Sequence, residues 1–212
     1  MKQGAPRRIN VTRSPRSVLR LPIQLTNAEI VEAIRTGQPL GGTALYDQHH
    51  AYVCSVLLRI LGPDADLHDL IQEVFLAAID SLERLKDPDA FRSWLASICV
   101  HQAYREIRRR TRSRWFFLTD DDETLERIAP VATPEVDEAV RATYRVLDKL
   151  PADERVAFAL RFINEMELVE VADACQVSLA TAKRRLARAR KKFTTMARTY
   201  PELADWVLGG PA

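Results

Sequence analysis

Apolar residues recur three and four positions apart along most of the chain and nowhere alternate with polar ones over the length of a strand, so the spacing predicts an all-α protein. A first helix is expected from a cap at Thr26 or Asn27 to about Arg35, with Gly37, Pro39, Gly41 and Gly42 breaking the chain after it. A second runs from about Thr43 to Leu61 and stops at Gly62-Pro63. Asp66 is placed to cap a third, whose stripe of Leu70, Ile71, Val74, Ala78, Leu82 and Leu85 reads as core. Its other face presents Asp69, Gln72, Glu73 and Asp80. Lys86-Asp87-Pro88-Asp89 reads as a loop. Phe91, Trp94, Leu95 and Ile98 then open a helix that turns cationic at Arg105, Arg108, Arg109, Arg110, Arg112 and Arg114.

Residues 119–134 hold Asp120-Asp121-Asp122-Glu123 and two prolines with little periodicity, the composition of a linker. A second helical unit follows from about Val136 to Ala197, in which Leu150-Pro151 separates a first helix from one starting near Asp153 and carrying Val156, Phe158, Leu160 and Phe162. The stretch Leu168 to Lys192 has the grammar of a helix-turn-helix: Leu168, Val171, Ala172 and Cys175 face inward, and Ser178 caps the second helix. At 100° per residue Ala182, Leu186, Ala189 and Phe193 form the packed side of that helix. Ala180, Arg184, Ala187, Arg188 and Lys191 fall opposite, flanked by Thr181 and Lys183. From Lys183 to Lys192 there are seven basic residues and no acid, a pattern that predicts DNA binding. Arginine's planar fork suits a guanine edge, whereas Lys191 and Lys192, near the helix end, suit phosphates. Pro201 ends the helix, and Leu203, Trp206 and Val207 could dock as a further turn.

Charge sharpens this division. The net charge of +2 conceals +5 over residues 1–40, 0 over 41–117, −7 over 118–138, +5 over 139–194 and −1 over 195–212. The expected organisation is a basic arm at 1–26, a helical domain at 27–117, an acidic linker at 118–135, a helix-turn-helix domain at 136–199 and a tail at 200–212: two small helical domains joined by an acidic linker. Cys54, Cys99 and Cys175 are far apart without a CxxC pair and read as reduced core residues of a cytoplasmic protein. His50 and Cys54, four apart, lack a third ligand nearby. No export signal or membrane-span-length apolar run is apparent, and no phosphate-binding glycine loop, metal triad or nucleophile elbow points to an enzyme or a cofactor.

Two stretches in order resemble the extracytoplasmic-function group of bacterial sigma factors. One is Asp69-Leu70-Ile71-Gln72-Glu73-Val74-Phe75-Leu76, followed by Phe91-Arg92-Ser93-Trp94-Leu95 and the arginine run. The other runs from Leu150-Pro151 to Ser178-Leu179-Ala180-Thr181-Ala182-Lys183-Arg184-Arg185-Leu186. The resemblance implies an alternative sigma factor, which binds core RNA polymerase and promoter DNA, is no enzyme, and in many relatives is held by an anti-sigma factor. It implies that Asp69, Gln72 and Glu73 dock on the polymerase clamp coiled coil. Lys86, Arg92, Tyr104, Arg105, Arg108 and Arg109 would serve the minus-ten element, where bases leave the stack; Trp94 reads as core rather than as a base platform. Ser178, Thr181, Lys183, Arg184, Arg188 and Lys191 would serve the minus-thirty-five element. The chain departs from its relatives at His101 and Arg105, at Gln176 in a turn where glycine is common, and at Glu167 in place of a serine or threonine cap. The runner-up reading is a helix-turn-helix regulator with an N-terminal sensing or dimerisation domain, which leaves Gln72-Glu73, the arginine run and the acidic spacer unexplained.

Overall fold

The computed structural model describes residues 24–62, 67–85, 87–117 and 134–204, and every regular element among them is helical. Helix α1, Asn27–Arg35, starts in a capping box: the Thr26 hydroxyl accepts from the Glu29 amide at 3.2 Å, and the Glu29 carboxylate accepts from the Thr26 amide at 2.7 Å. Helix α2, Pro39–Leu61, begins at Pro39 rather than Thr43 and absorbs Gly41 and Gly42, two of the three glycines expected to break the chain. Proline suits a first helical position, where no amide partner is needed. Gly41 has a tertiary reason: a Cβ there would stand 2.7 Å from the Ile34 backbone nitrogen, so the close crossing of α1 and α2 requires glycine.

Helices α3, Leu67–Ser81, and α4, Phe91–Phe117, complete the first unit. Their joint core takes Val53, Val56, Leu57 and Ile60 from α2, Leu70, Ile71, Val74, Phe75 and Ala78 from α3, and Phe91, Leu95, Cys99 and Ala103 from α4. Between α3 and α4, a turn at Pro88–Ala90 is set by the Asp87 carboxylate accepting from the Asp89 amide at 2.9 Å. The proposed Asp66 cap and Lys86 lie outside the described residues, as do the arm to residue 23 and residues 118–133 of the expected linker.

The second unit comprises α5, Pro134–Leu147, α6, Ala152–Phe158, α7, Leu168–Ala174, and α8, Leu179–Ala197. The helix expected to carry Val156 through Phe162 is α only as far as Phe158; Ala159–Ile163 widens into a π turn, closed by the Asn164 amide on the Ala159 carbonyl at 2.9 Å. Ala182, Leu186, Ala189 and Phe193 of α8 are buried as their spacing predicts, with Phe193 stacked on Phe158 at 4.6 Å between centroids. Leu203 of the tail docks against this cluster. Gln176 carries the positive φ, +52°, that the tight turn imposes.

The two units are not separate in packing. Val156, Ala157, Ala159, Leu160, Val171, Ala174 and Leu186 belong to the apolar cluster built on α2, α3 and α4, and α4 lies against both α6 and α7.

Candidate functional site

Three faces carry the residues singled out by the sequence. On α3 the amphipathic stripe turns Asp69, Gln72 and Glu73 to solvent, and the Gln72 amide lies 2.8 Å from Nε2 of His68 one turn earlier. Leu76 stands among them with 63% of its surface exposed, and Ile79 borders the same face. Leu76 had a findable signal: at 100° per residue it falls opposite the core stripe, in the middle of the polar residues.

On α4 the cations are unequally available. The Arg92 guanidinium lies over the Tyr52 ring, 4.5 Å from its centroid. Arg105 and Arg108 are exposed, and Arg105 donates to the Gln102 side chain at 3.0 Å. Glu106 is only 5% exposed and accepts from Arg109 at 2.6 Å and from Arg110 at 2.8 Å. Arg109 nonetheless remains 62% exposed, whereas Arg110 turns inward and donates to the Leu61 carbonyl at 3.4 Å. Tyr104 points the other way: half-buried on the core, it faces the Cys175 thiol at the end of α7, and burial pushes its phenol well above the usual range. Trp94 is half-buried against Phe91 at 5.3 Å between centroids, a packing position. Cys99 lies deep in the core, where burial pushes its thiol up to about 12.

On α8 the Ser178 hydroxyl accepts from the Thr181 amide at 3.2 Å, and the Thr181 hydroxyl accepts from Arg184 at 3.3 Å. Glu167 starts α7 without a hydroxyl by letting the Glu170 carboxylate accept from its amide at 2.7 Å. Lys183, Arg184, Arg188 and Lys191 are exposed along one side. Two of the seven basic residues are claimed by α6: Arg185 lies 3.3 Å from Asp153, and Lys192 lies 2.8 Å from Glu154, which is 6% exposed. Lys192, expected as a phosphate contact, is half-exposed and gives its ammonium to this carboxylate, because a buried carboxylate must be paired. Among the described residues no three His, Cys, Asp or Glu side chains gather as metal ligands, and no helix is long and apolar enough to cross a membrane.

The family model of Sigma-70 region 2 matches residues 45–113, which span most of α2 through α4, and that of Sigma-70 region 4 matches residues 141–193, from α5 into α8. The chain belongs to the extracytoplasmic-function group of sigma factors. It is 27% identical over 177 residues to the ECF RNA polymerase sigma-E factor of Haemophilus influenzae, a match covering 79% of this chain and 93% of that one. The sigma-E factor of Escherichia coli K12 is likewise 27% identical, with 92% of its length covered. Among solved structures, CnrH in complex with the cytosolic domain of CnrY matches with a TM-score of 0.56 at 22% identity, over 83% of this chain and 99% of that one. The sigma factor RpoE in complex with the anti-sigma factor NepR from Bartonella quintana matches at a TM-score of 0.53 and 20% identity, over 71% of this chain and 92% of that one. The all-helical, two-region fold is thus that of a sigma factor, and the protein is an alternative sigma factor that initiates transcription.

Proposed function

We propose a division of labour among the three faces of this sigma factor. Asp69, Gln72 and Glu73, with Leu76 as their apolar centre, dock on the clamp coiled coil of core polymerase. Burial of an exposed leucine adds roughly 1.5–3 kcal/mol, and the surrounding acids and amide set the register. Arg92, Arg105, Arg108 and Arg109, with Lys86 and Tyr104, receive the minus-ten element. Ser178, Thr181, Lys183, Arg184, Arg188 and Lys191 receive the minus-thirty-five element, with α8 in the major groove. The observation that carries this reading is α8 itself: its inner side is closed by Ala182, Leu186, Ala189 and Phe193 while Lys183, Arg184, Arg188 and Lys191 stand exposed on the other.

The protein acts in the cytoplasm by binding, not by catalysing a reaction of its own. Two of its structural neighbours were each captured with a partner, the cytosolic domain of CnrY and the anti-sigma factor NepR. An antagonist of that kind is therefore a fitting partner here. The test is reconstitution with core polymerase on a promoter library: the wild-type chain yields promoter-specific transcripts. Glu73→Lys or Leu76→Asp abolishes holoenzyme assembly while changing folding stability by no more than about 0.5 kcal/mol, as surface substitutions do. Normal polymerase binding by both variants would remove α3 from the interface. Failure of the wild-type chain to bind polymerase would favour a free-standing helix-turn-helix regulator.

A further inference from the structure

Among the described residues, Leu179 is the one large apolar side chain that α8 leaves exposed, with 41% of its surface open to solvent. It is the first residue of the helix, directly after the Ser178 cap. The inner side of α8 is closed without it: Ala182, Leu186, Ala189 and Phe193 are buried there, and neither apolar cluster includes Leu179. At 100° per residue Leu179 shares a flank with Lys183, one turn on, and Ala180 and Arg184 stand exposed beside them. Left in water the leucine adds nothing to the core, and covering it is favourable. Its place on the helix decides what can cover it. A recognition helix meets base edges with its N-terminal residues. The major groove offers those residues hydrogen-bond donors and acceptors and a single kind of apolar group, the C5 methyl of thymine. Lys183 and Arg184 suit the polar groups and the phosphates; the leucine suits only the methyl.

We propose that Leu179 is a thymine-reading residue, which closes over the C5 methyl of one or two neighbouring thymines in the minus-thirty-five element. This inference rests on the placement of α8 in the major groove and adds an apolar contact to the polar and cationic ones assigned there. The flanking cations supply attraction that is blind to the methyl, and Leu179 supplies the discrimination.

The test uses holoenzyme made with the full chain, as wild type and as Leu179→Ala, a change that keeps a strong helix former in the first turn. Affinity is measured by competition on promoter duplexes in which each thymine of the minus-thirty-five element, on either strand, is replaced singly by deoxyuridine. Deoxyuridine lacks only the methyl, so pairing and hydrogen-bonding groups are untouched. Wild type should lose about fourfold in affinity at one or two adjacent positions, the worth of one buried carbon. Leu179→Ala should show a similar loss on the natural duplex and no further loss on replacement at those positions, with its melting temperature unchanged. Indifference of wild type to every replacement overturns the proposal, as does a full methyl response in Leu179→Ala. Impaired holoenzyme assembly by Leu179→Ala with the methyl response intact also overturns it and moves Leu179 to a polymerase contact. Wild-type holoenzyme that binds a duplex with a scrambled minus-thirty-five element equally well would instead overturn the placement of α8 itself.

Discussion

Helices α4 and α8 both carry dense runs of arginine, but their charge is neutralised from different directions. In α4 the acid lies within the helix: Glu106 takes Arg109 and Arg110 from three and four positions on, so one carboxylate serves an exposed cation and an inward one together. In α8 the run from Lys183 to Lys192 holds no acid, and the balancing groups come from α6, where Asp153 and Glu154 take Arg185 and Lys192. The second arrangement sorts the helix into two sides. Cations toward α6 brace the fold, and those on the outer side stay exposed, where the proposed nucleic-acid contact needs them. Density of positive charge in a sequence is therefore not the same as its availability; the position of the acids decides which cations can leave for a phosphate or a base.

The largest effect expected from this contrast is at Glu106. Glu106→Gln removes the buried carboxylate charge that Arg109 and Arg110 share, so stability should fall by about 2–3 kcal/mol in urea unfolding. This is less than a fully buried pair would lose, because Arg109 remains largely in water. A loss below about 0.5 kcal/mol would mean that solvent already screens both pairs and that α4 is not organised by this carboxylate.

A comparable but functional loss is expected on the outer side of α8. Arg184→Ala or Arg188→Ala should relax preference at one or two neighbouring base pairs of the minus-thirty-five element by roughly 1–3 kcal/mol, the worth of a bidentate arginine on guanine. Promoter-library transcription with holoenzyme reads this directly. An intact preference profile in both variants would shift recognition to DNA shape and leave this face as a phosphate clamp.

How much of this could be read from the sequence depended on the range of the cause. The inner stripe of α8, its Ser178 cap and the strained turn at Gln176 are local consequences of helical period, capping and backbone sterics, and the structure matches all three. Leu76 obeys the same arithmetic, falling opposite the core stripe of α3. Gly41 was misread because a glycine signals a break locally, whereas its reason is the crossing of α1 over α2. The partner of Lys192 was not legible for a similar cause: Glu154 lies 38 positions earlier, and no spacing rule connects them. Val156, Leu160 and Val171 read as the core of their own unit, yet they pack with α2, α3 and α4. Apolar periodicity states that a face is buried and does not say against what. The proposed role of Lys86 falls on a residue outside those described.

The sharpest test uses two adjacent lysines that sequence alone treats as equivalent. Lys191 is exposed on the outer side of α8, and Lys192 is bonded to the buried Glu154. Lys191→Ala and Lys192→Ala should be compared by thermal unfolding and by holoenzyme affinity for promoter DNA at several salt concentrations. The account predicts a crossed result. Lys191→Ala leaves stability within about 0.5 kcal/mol but weakens binding to all sequences and reduces the salt slope by about one. Lys192→Ala lowers stability by about 1–2 kcal/mol, because it strands a buried carboxylate, and leaves the salt slope unchanged. Equal salt slopes and equal stabilities in the two variants would contradict the claim that acids on α6 decide which cations of α8 meet DNA.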